Sequence, residues 1–141
     1  MADKSYLTWP FFEDRHRALA AELQAWAKKH AGHHDESADI DNVCRGFVAR
    51  LGAAGFLRLT VPKDGGGTYD RLEVRSLAQA REILAYHHGL ADFSFVMQGL
   101  GSGPISLFGT PEQKKRWLPG VAEGTRIAAL AMSAILAWVS W

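Results

Sequence analysis

The densest group of potential metal ligands in the sequence is a histidine cluster near residue 30. His30, His33 and His34 are followed directly by two acidic residues. His30 and His34 have the i, i+4 spacing that would place two imidazoles on one helical face, where they could hold Zn²⁺. Gly32 lies between them, however, and the apolar periodicity before it ends at His30. We therefore interpret the cluster as a solvated helix end and assign no metal ligands, with a metal site at His30 and His34 as the alternative.

Three other stretches could carry chemistry, and none has the neighbours that the chemistry needs. Cys44 has no basic partner at a readable spacing, so we predict a packed free thiol. The glycines of Gly65–Gly67 are not followed by Gly-Lys-Ser/Thr, as a phosphate-binding loop requires. The GLGSG run at Gly99–Gly103 follows a predicted helix and not a strand, which argues against a dinucleotide fingerprint. We assign no catalytic residue.

Composition indicates one globular domain. The 141 residues are 48% hydrophobic and 22% charged, which fits a packed core and excludes general disorder. The formal net charge of +1 gives no reason to expect nucleic acid or an anionic membrane as a partner. A single cysteine and the absence of a signal-like amino terminus favour a reducing, cytoplasmic location.

The uncharged stretch from Ile127 to Trp141 resembles a membrane anchor only superficially. Its fifteen residues fall short of the roughly twenty that cross a bilayer. We predict no membrane span and interpret the stretch as apolar sequence that lacks its packing partner.

Periodicity predicts an all-α fold, a bundle-like domain of five to six helices with a short strand near the carboxy terminus. Helical spacing extends from about Phe12 to His30. A second helix begins at Asp39 or Asp41 and ends before Gly55. The other predicted elements are an extended loop with at most a brief strand at 56–61, a third helix at 71–88 broken by Gly89, an apolar fourth helix at 90–108 and a strand from Arg126 to Ser133.

The fourth helix is apolar on nearly every side, which predicts a central, buried position. We expect its glycines to interrupt it and Pro104 to restart it. The corner GTPEQKKRWLP follows. There Thr110 should cap a fifth helix, Gln113 should complete the capping box, and Pro119 should end the helix.

This corner also carries a family resemblance. The segment LGSGPISLFGTPEQKKRWLP, Leu100–Pro119, resembles the acyl-CoA dehydrogenase family in its amino-terminal helical domain. Further segments look like that domain in the same order, and the resemblance covers about Phe11 to Ser133. They are LGAAGFLRLTVPKDGGG at Leu51–Gly67, REILAYHHGLADFSF at Arg81–Phe95, and AALAMS at Ala128–Ser133, which resembles the first strand of the family's middle domain.

The resemblance implies oxidation of acyl-CoA thioesters in fatty acid metabolism. In that family a carboxylate base removes the α-proton while a hydride leaves the β-carbon for the flavin of FAD. The base lies in a carboxy-terminal helical bundle, to which no residue of this chain corresponds. After Ser133 the family continues with Glu-Pro-x-x-Gly-Ser-Asp, whereas this chain reads AILAWVSW.

The resemblance also implies roles for six residues. Phe93, Val96, Met97 and Leu100 correspond to the helix that lines the acyl-chain slot, with ordinary core packing as the alternative. Met132 and Ser133 correspond to the strand that contacts the flavin ring.

We therefore expect residues 1–125 to be the helical domain and 126–141 to be the start of the middle-domain strand followed by a non-family tail. The chain is expected to be a truncated or frame-shifted dehydrogenase fragment that is inactive alone, with acyl-CoA, FAD and the remaining dehydrogenase domains or a homo-oligomer as partners. A non-catalytic interaction module and a complementing subunit are the alternatives.

Overall fold

The computed structural model describes residues 5–32 and 39–130, and this part of the chain is helical. The five α-helices are α1 (Asp14–His30), α2 (Ile40–Ala53), α3 (Val74–His87), α4 (Gly89–Phe108) and α5 (Pro111–Ala122), with short 3₁₀ helices at Ser5–Thr8, Phe56–Leu59 and Lys63–Gly65. The all-α prediction is confirmed. The predicted strand is not seen, because residues 127–130 have no regular secondary structure. Residues 131–133 lie outside the described residues.

Several helix ends follow from capping chemistry. The Asp39 carboxylate accepts from the Asp41 N–H and begins α2, and Gly55 with φ of 81° follows the end of that helix. Thr110 and Gln113 form the predicted capping box of α5. The third helix begins three residues later than predicted, because the Glu73 carboxylate caps it by accepting from the Ser76 N–H.

Pro104, Pro119 and the glycines inside α4 did not interrupt their helices as we expected. Helix α4 continues without a break through Pro104, and α5 continues through Pro119 to Ala122. The reason is tertiary packing, because α4 contacts α2, α3 and α5 and thereby offsets the low helix propensity of its glycines. In α5 the residues after Pro119 are buried against Val61, so the helix gains more by continuing than it loses at the proline.

Gly89 lies at the predicted break between α3, which ends at His87, and α4. It is the first residue of α4, and His88 before it caps that helix by accepting from the Leu90 N–H at 3.1 Å. The His88 ring also packs edge-to-face on Phe47, with 4.9 Å between ring centroids. The two helices therefore meet at a sharp corner.

Residues 56–61 alternate in polarity but do not form an extended loop or a strand. The left-handed Gly55 turns the chain into a 3₁₀ helix at Phe56–Leu59, and Leu57, Leu59 and Val61 are all buried. The loop that follows is tight, since a Cβ on Gly67 would lie 1.8 Å from the carbonyl oxygen of Val61.

The main core is built by α1, α2, α3 and α4. Its fully buried members include Leu23, Leu51, Leu84 and Phe95, and a second cluster joins α5 to Val61. A bidentate ion pair between Arg81 and Asp92, with distances of 3.0 and 2.9 Å, links α3 to α4 at the edge of this core.

Helix α4 is central, as predicted, but it is not buried on every side. The residues that it buries are mostly small or polar: Ala91, Ser94, Phe95, Gln98, Ser102 and Ser106. Four of its large apolar residues are nevertheless exposed, with Phe93 at 52%, Leu100 at 48%, Leu107 at 64% and Phe108 at 86%. Small side chains let the backbones of α2 and α3 approach closely, so within the described residues α4 is central but its bulky face is uncovered.

Candidate functional site

A cavity of about 290 Å³ lies between α2 and α4. Phe93 and Met97 of α4 form one wall, and Cys44 and Val48 of α2 form the opposite wall. The segment Ile127–Ala129 closes one side. The lining is mainly apolar, which suits a hydrocarbon group more than a charged one.

The structure brings together two of the four predicted substrate residues. Phe93 and Met97 both line the cavity, whereas Val96 and Leu100 do not. Leu100 is on the exposed face of α4 at 48% exposure, and Val96 is half-buried. The predicted flavin contacts Met132 and Ser133 lie outside the described residues.

Gln98, which no motif in the sequence marks, holds the wall of the cavity in place. Gln98 is 1% exposed, and its Oε1 accepts from the backbone N–H of Ala128 at 2.9 Å. Its Nε2 donates to the carbonyl of Ser94 at 3.3 Å, one turn earlier in α4. The only sequence signal for this role was one amide in an otherwise apolar helix.

Gly101 allows the segment to cross α4 at close range. A Cβ at this position would lie 2.5 Å from the Ala129 nitrogen and 2.8 Å from the Ala128 carbonyl carbon. Both are backbone atoms, which cannot turn aside as a side chain could. Gln98 and Gly101 together therefore fix where residues 127–129 leave the helical domain.

The buried polar groups of the cavity are already engaged with backbone. The Ser94 hydroxyl donates to the carbonyl of Cys44 at 3.4 Å, and the amide of Gln98 makes the bonds described above. Asp41 and Arg45 also line the cavity, and both are exposed. Cys44 is half-buried and free, as predicted for a packed thiol. The arrangement can bind an apolar group but does not pair a nucleophile with a base.

The most strongly perturbed carboxylate lies elsewhere, at the start of α3. Burial raises the pKa of Glu73, but hydrogen bonds from Ser76, Arg75 and His16 outweigh it and hold the pKa at about 2. His16 is fully buried; its Nδ1 accepts from the Glu13 N–H at 2.9 Å and its Nε2 lies 3.1 Å from Glu73. This network joins the starts of α1 and α3, and we interpret it as structural.

No cluster of three metal-ligating side chains occurs within residues 5–32 and 39–130. His30 stacks on Trp26 with 5.1 Å between ring centroids, while His33 and His34 lie outside the described part of the chain. None of the helices that the structure describes is both long and apolar enough to span a bilayer.

Comparison with known proteins identifies the domain. Residues 13–125 match the family model for the acyl-CoA dehydrogenase N-terminal domain. A probable acyl-CoA dehydrogenase of Bacillus subtilis is 32% identical over 86% of this chain and 20% of its own length. An acyl-CoA dehydrogenase of Mycobacterium tuberculosis is 28% identical over 94% of this chain and 33% of its own length.

The human mitochondrial short-chain specific acyl-CoA dehydrogenase is 33% identical over 61% of this chain and 21% of its own length. The chain thus spans about a fifth to a third of the length of these relatives. The chain belongs to the acyl-CoA dehydrogenase family.

Proposed function

We propose that this member of the acyl-CoA dehydrogenase family supplies the helical domain, residues 1–125, of an FAD-dependent oxidoreductase that oxidises acyl-CoA thioesters. Residues 126–141 would be the start of the link to a middle domain and a tail. The observation that carries the proposal is the apolar cavity beside α4, because a hydrocarbon chain is the part of an acyl-CoA that such a lining can bind. Its location would be cytoplasmic.

Within that enzyme the chain would form the acyl side of the pocket. Phe93 and Met97 would contact the acyl chain directly, since they line the cavity. Val96 and Leu100 would contact it only if a further domain packed on the outer face of α4, where Leu100 is exposed.

The link to the flavin would run through Gln98. This residue holds Ala128, four residues before Met132, which with Ser133 would contact the flavin ring. When bound, FAD would accept the hydride that leaves the β-carbon. The residues of this chain would contribute binding and position, and the proton-abstracting carboxylate would come from the remaining dehydrogenase domains.

This proposal is tested by mixing the chain with the remaining domains of a related dehydrogenase. The 141-residue chain is purified alone and then combined with the separately expressed remainder of the Bacillus subtilis relative. We expect no acyl-CoA-dependent bleaching of flavin absorbance with the chain alone, and flavin uptake followed by bleaching in the mixture. Bleaching by the chain alone would contradict the part of the proposal that makes it inactive by itself.

A second function, that of an interaction module without catalysis, is favoured by the uncovered face of α4. Phe93, Leu100, Leu107 and Phe108 expose large apolar side chains along one helix, which is typical of a surface that another protein covers. Stable binding to another protein, or self-association, in a preparation that never takes up flavin would support this function over the first.

A further inference from the structure

Two arginines lie against one tryptophan ring on the outer side of α5. The Cζ atoms of Arg116 and Arg126 are 4.9 and 4.7 Å from the centre of the Trp117 ring. Stacking uses the flat face of a guanidinium and leaves the N–H donors at its edge free to bind an anion. Since both cations lie within 5 Å of one ring centre, they are at most about 10 Å apart.

The described residues give neither arginine a carboxylate partner. The neighbouring Lys114 is neutralised by Asp64, with 3.1 Å between Nζ and Oδ2, whereas Arg116 and Arg126 form no ion pair in residues 5–32 and 39–130. An anion near both guanidiniums would be attracted by two positive charges instead of one. The positive charges of Arg116 and Arg126 therefore favour the binding of an anion at this place.

The position of Arg126 is set by the backbone. Its N–H donates to the carbonyl of Gly120 at 2.9 Å, as does the N–H of Thr125. A Cβ on Gly120 would lie 2.7 Å from Cδ of Arg126, so the stem of the arginine rests on the bare glycine. The guanidinium is therefore held at the tryptophan and does not sample the full range of a surface arginine.

Beside the two guanidiniums is an open pocket of about 570 Å³. Its apolar lining includes Ile105 and Ala128, which are half-buried, and Ile127, which is 52% exposed. We propose that this pocket binds an amphiphilic oxyanion, with an alkyl body on the apolar lining and a carboxylate or phosphate head between Arg116 and Arg126. A small inorganic anion would satisfy the charges but would leave the apolar lining exposed to water.

This site is separate from the cavity beside α4. Residues 127–129 line both spaces and lie between them. The inference therefore does not rest on the proposed function, and either can fail without the other.

The test is isothermal titration calorimetry of the 141-residue chain with four probe ligands. Octanoate and octyl phosphate carry both parts of the proposed ligand, octan-1-ol lacks the charge, and inorganic phosphate lacks the alkyl body. We expect at least one of the two octyl anions to bind about tenfold more tightly than either control probe. The ratio of octanoate to octyl phosphate then tells which head group the site prefers.

Matched variants locate the binding. Arg116→Gln and Arg126→Gln should each weaken the preferred octyl anion about tenfold, because each removes a charge-assisted hydrogen-bond donor. Lys115→Gln, at an exposed lysine next to the site, should change binding less than twofold. Gly120→Ala keeps every charge but displaces Arg126, and it should also weaken binding.

Three results would overturn the proposal. One is equal binding by wild type and both arginine variants. Another is binding of octan-1-ol or inorganic phosphate as tight as that of the octyl anions. The third is binding of an acidic peptide, such as hexaglutamate, without binding of either octyl anion, which would make the pair of arginines a protein-docking site instead.

Discussion

Replacing Gly101 with alanine tests whether residues 127–129 cross α4 as the structure shows. The new Cβ would lie 2.5 Å from the Ala129 nitrogen and 2.8 Å from the Ala128 carbonyl carbon. Because these are backbone atoms, the whole segment must move away from the helix. Its movement would stretch the hydrogen bond from the Ala128 N–H to the buried Gln98, which is 2.9 Å long.

Three contributions determine how far Gly101→Ala changes the free energy of unfolding: helix propensity, steric overlap and the lost hydrogen bond. Alanine in place of glycine favours an α-helix by up to about 1 kcal/mol. The steric overlap costs about 1–3 kcal/mol, and leaving the Gln98 oxygen without a donor costs about 1–3 kcal/mol. We expect Gly101→Ala to lower the free energy of unfolding by about 3 kcal/mol, near the middle of these ranges.

Gly103→Ala is the matched control. Gly103 is in the same helix two residues later, and a Cβ there would have no heavy atom within 4 Å. Only the helix-propensity term remains, so this variant should be more stable than wild type by about 0.5–1 kcal/mol. The difference between the two alanine variants therefore isolates the crossing segment.

Urea denaturation gives the free energies of unfolding, and hydrogen exchange at the Ala128 amide reports the bond to Gln98 directly. We expect Gly101→Ala to lose protection at that amide and Gly103→Ala to retain it. If Gly101→Ala were as stable as Gly103→Ala and kept the protection, the segment would not cross at Gly101 and the reasoning would be refuted.

Three further predictions concern other parts of the domain. The folded pKa of Glu73, about 2, lies below its ordinary 4.5, so the ionised carboxylate stabilises the fold above pH 4.5 and this effect is lost as the pH falls towards 2. Glu73→Gln should therefore lower the free energy of unfolding at pH 7 by about 2 kcal/mol, after allowance for solvent screening. In urea titrations at several pH values, the stability of this variant should depend less on pH than that of wild type. Gly67→Ala, which would place a Cβ 1.8 Å from the Val61 carbonyl oxygen, should lower the free energy of unfolding by about 3 kcal/mol. Gly89→Ala, whose Cβ would have no heavy atom within 4 Å, should not lower it. Equal melting temperatures of the two variants would contradict the packing of the loop that contains Gly67. Phe108→Ser, at a side chain that is 86% exposed, should leave the melting temperature within a few degrees of wild type and reduce self-association in sedimentation velocity.

The helix ends were the part of the fold that local sequence determined best. Asp39 and Thr110 each provide an oxygen to an otherwise unpaired backbone N–H a few residues later, and this is a contact that the sequence spacing alone predicts. Helix interiors were less predictable. Pro104 and Pro119 read as breaks, but the energy that keeps those helices intact comes from residues distant in sequence.

The candidate site shows the same division. Phe93 and Met97 were predicted as substrate contacts from the family resemblance, and both line the cavity. Leu100 was predicted with them from the same resemblance, as part of the helix that lines the acyl-chain slot. It does not line the cavity, since that space is bounded near Gly101 by a segment whose path no local pattern reveals.

Gln98 could not have been found by periodicity, because an isolated amide in an apolar helix is usually assigned to the surface. Its role depends on an N–H thirty residues later in the sequence. A rule that would have found it is physical: a polar residue on a helix of small and apolar residues needs a partner if it is buried.

The packing of α4 has a consequence for how the cavity would be completed. The helix uses Ser94, Gln98 and Ser102 for contacts inside the domain, where their hydroxyl and amide groups bond to backbone carbonyls. Bulky apolar residues in those positions would have separated α2 from α4 and widened the space between them. The large side chains instead lie outside, beside the cavity that Phe93 lines. A protein surface that covered Leu100 would thus also adjoin this side of the cavity, so completing the pocket and burying the apolar face of α4 would be the same event.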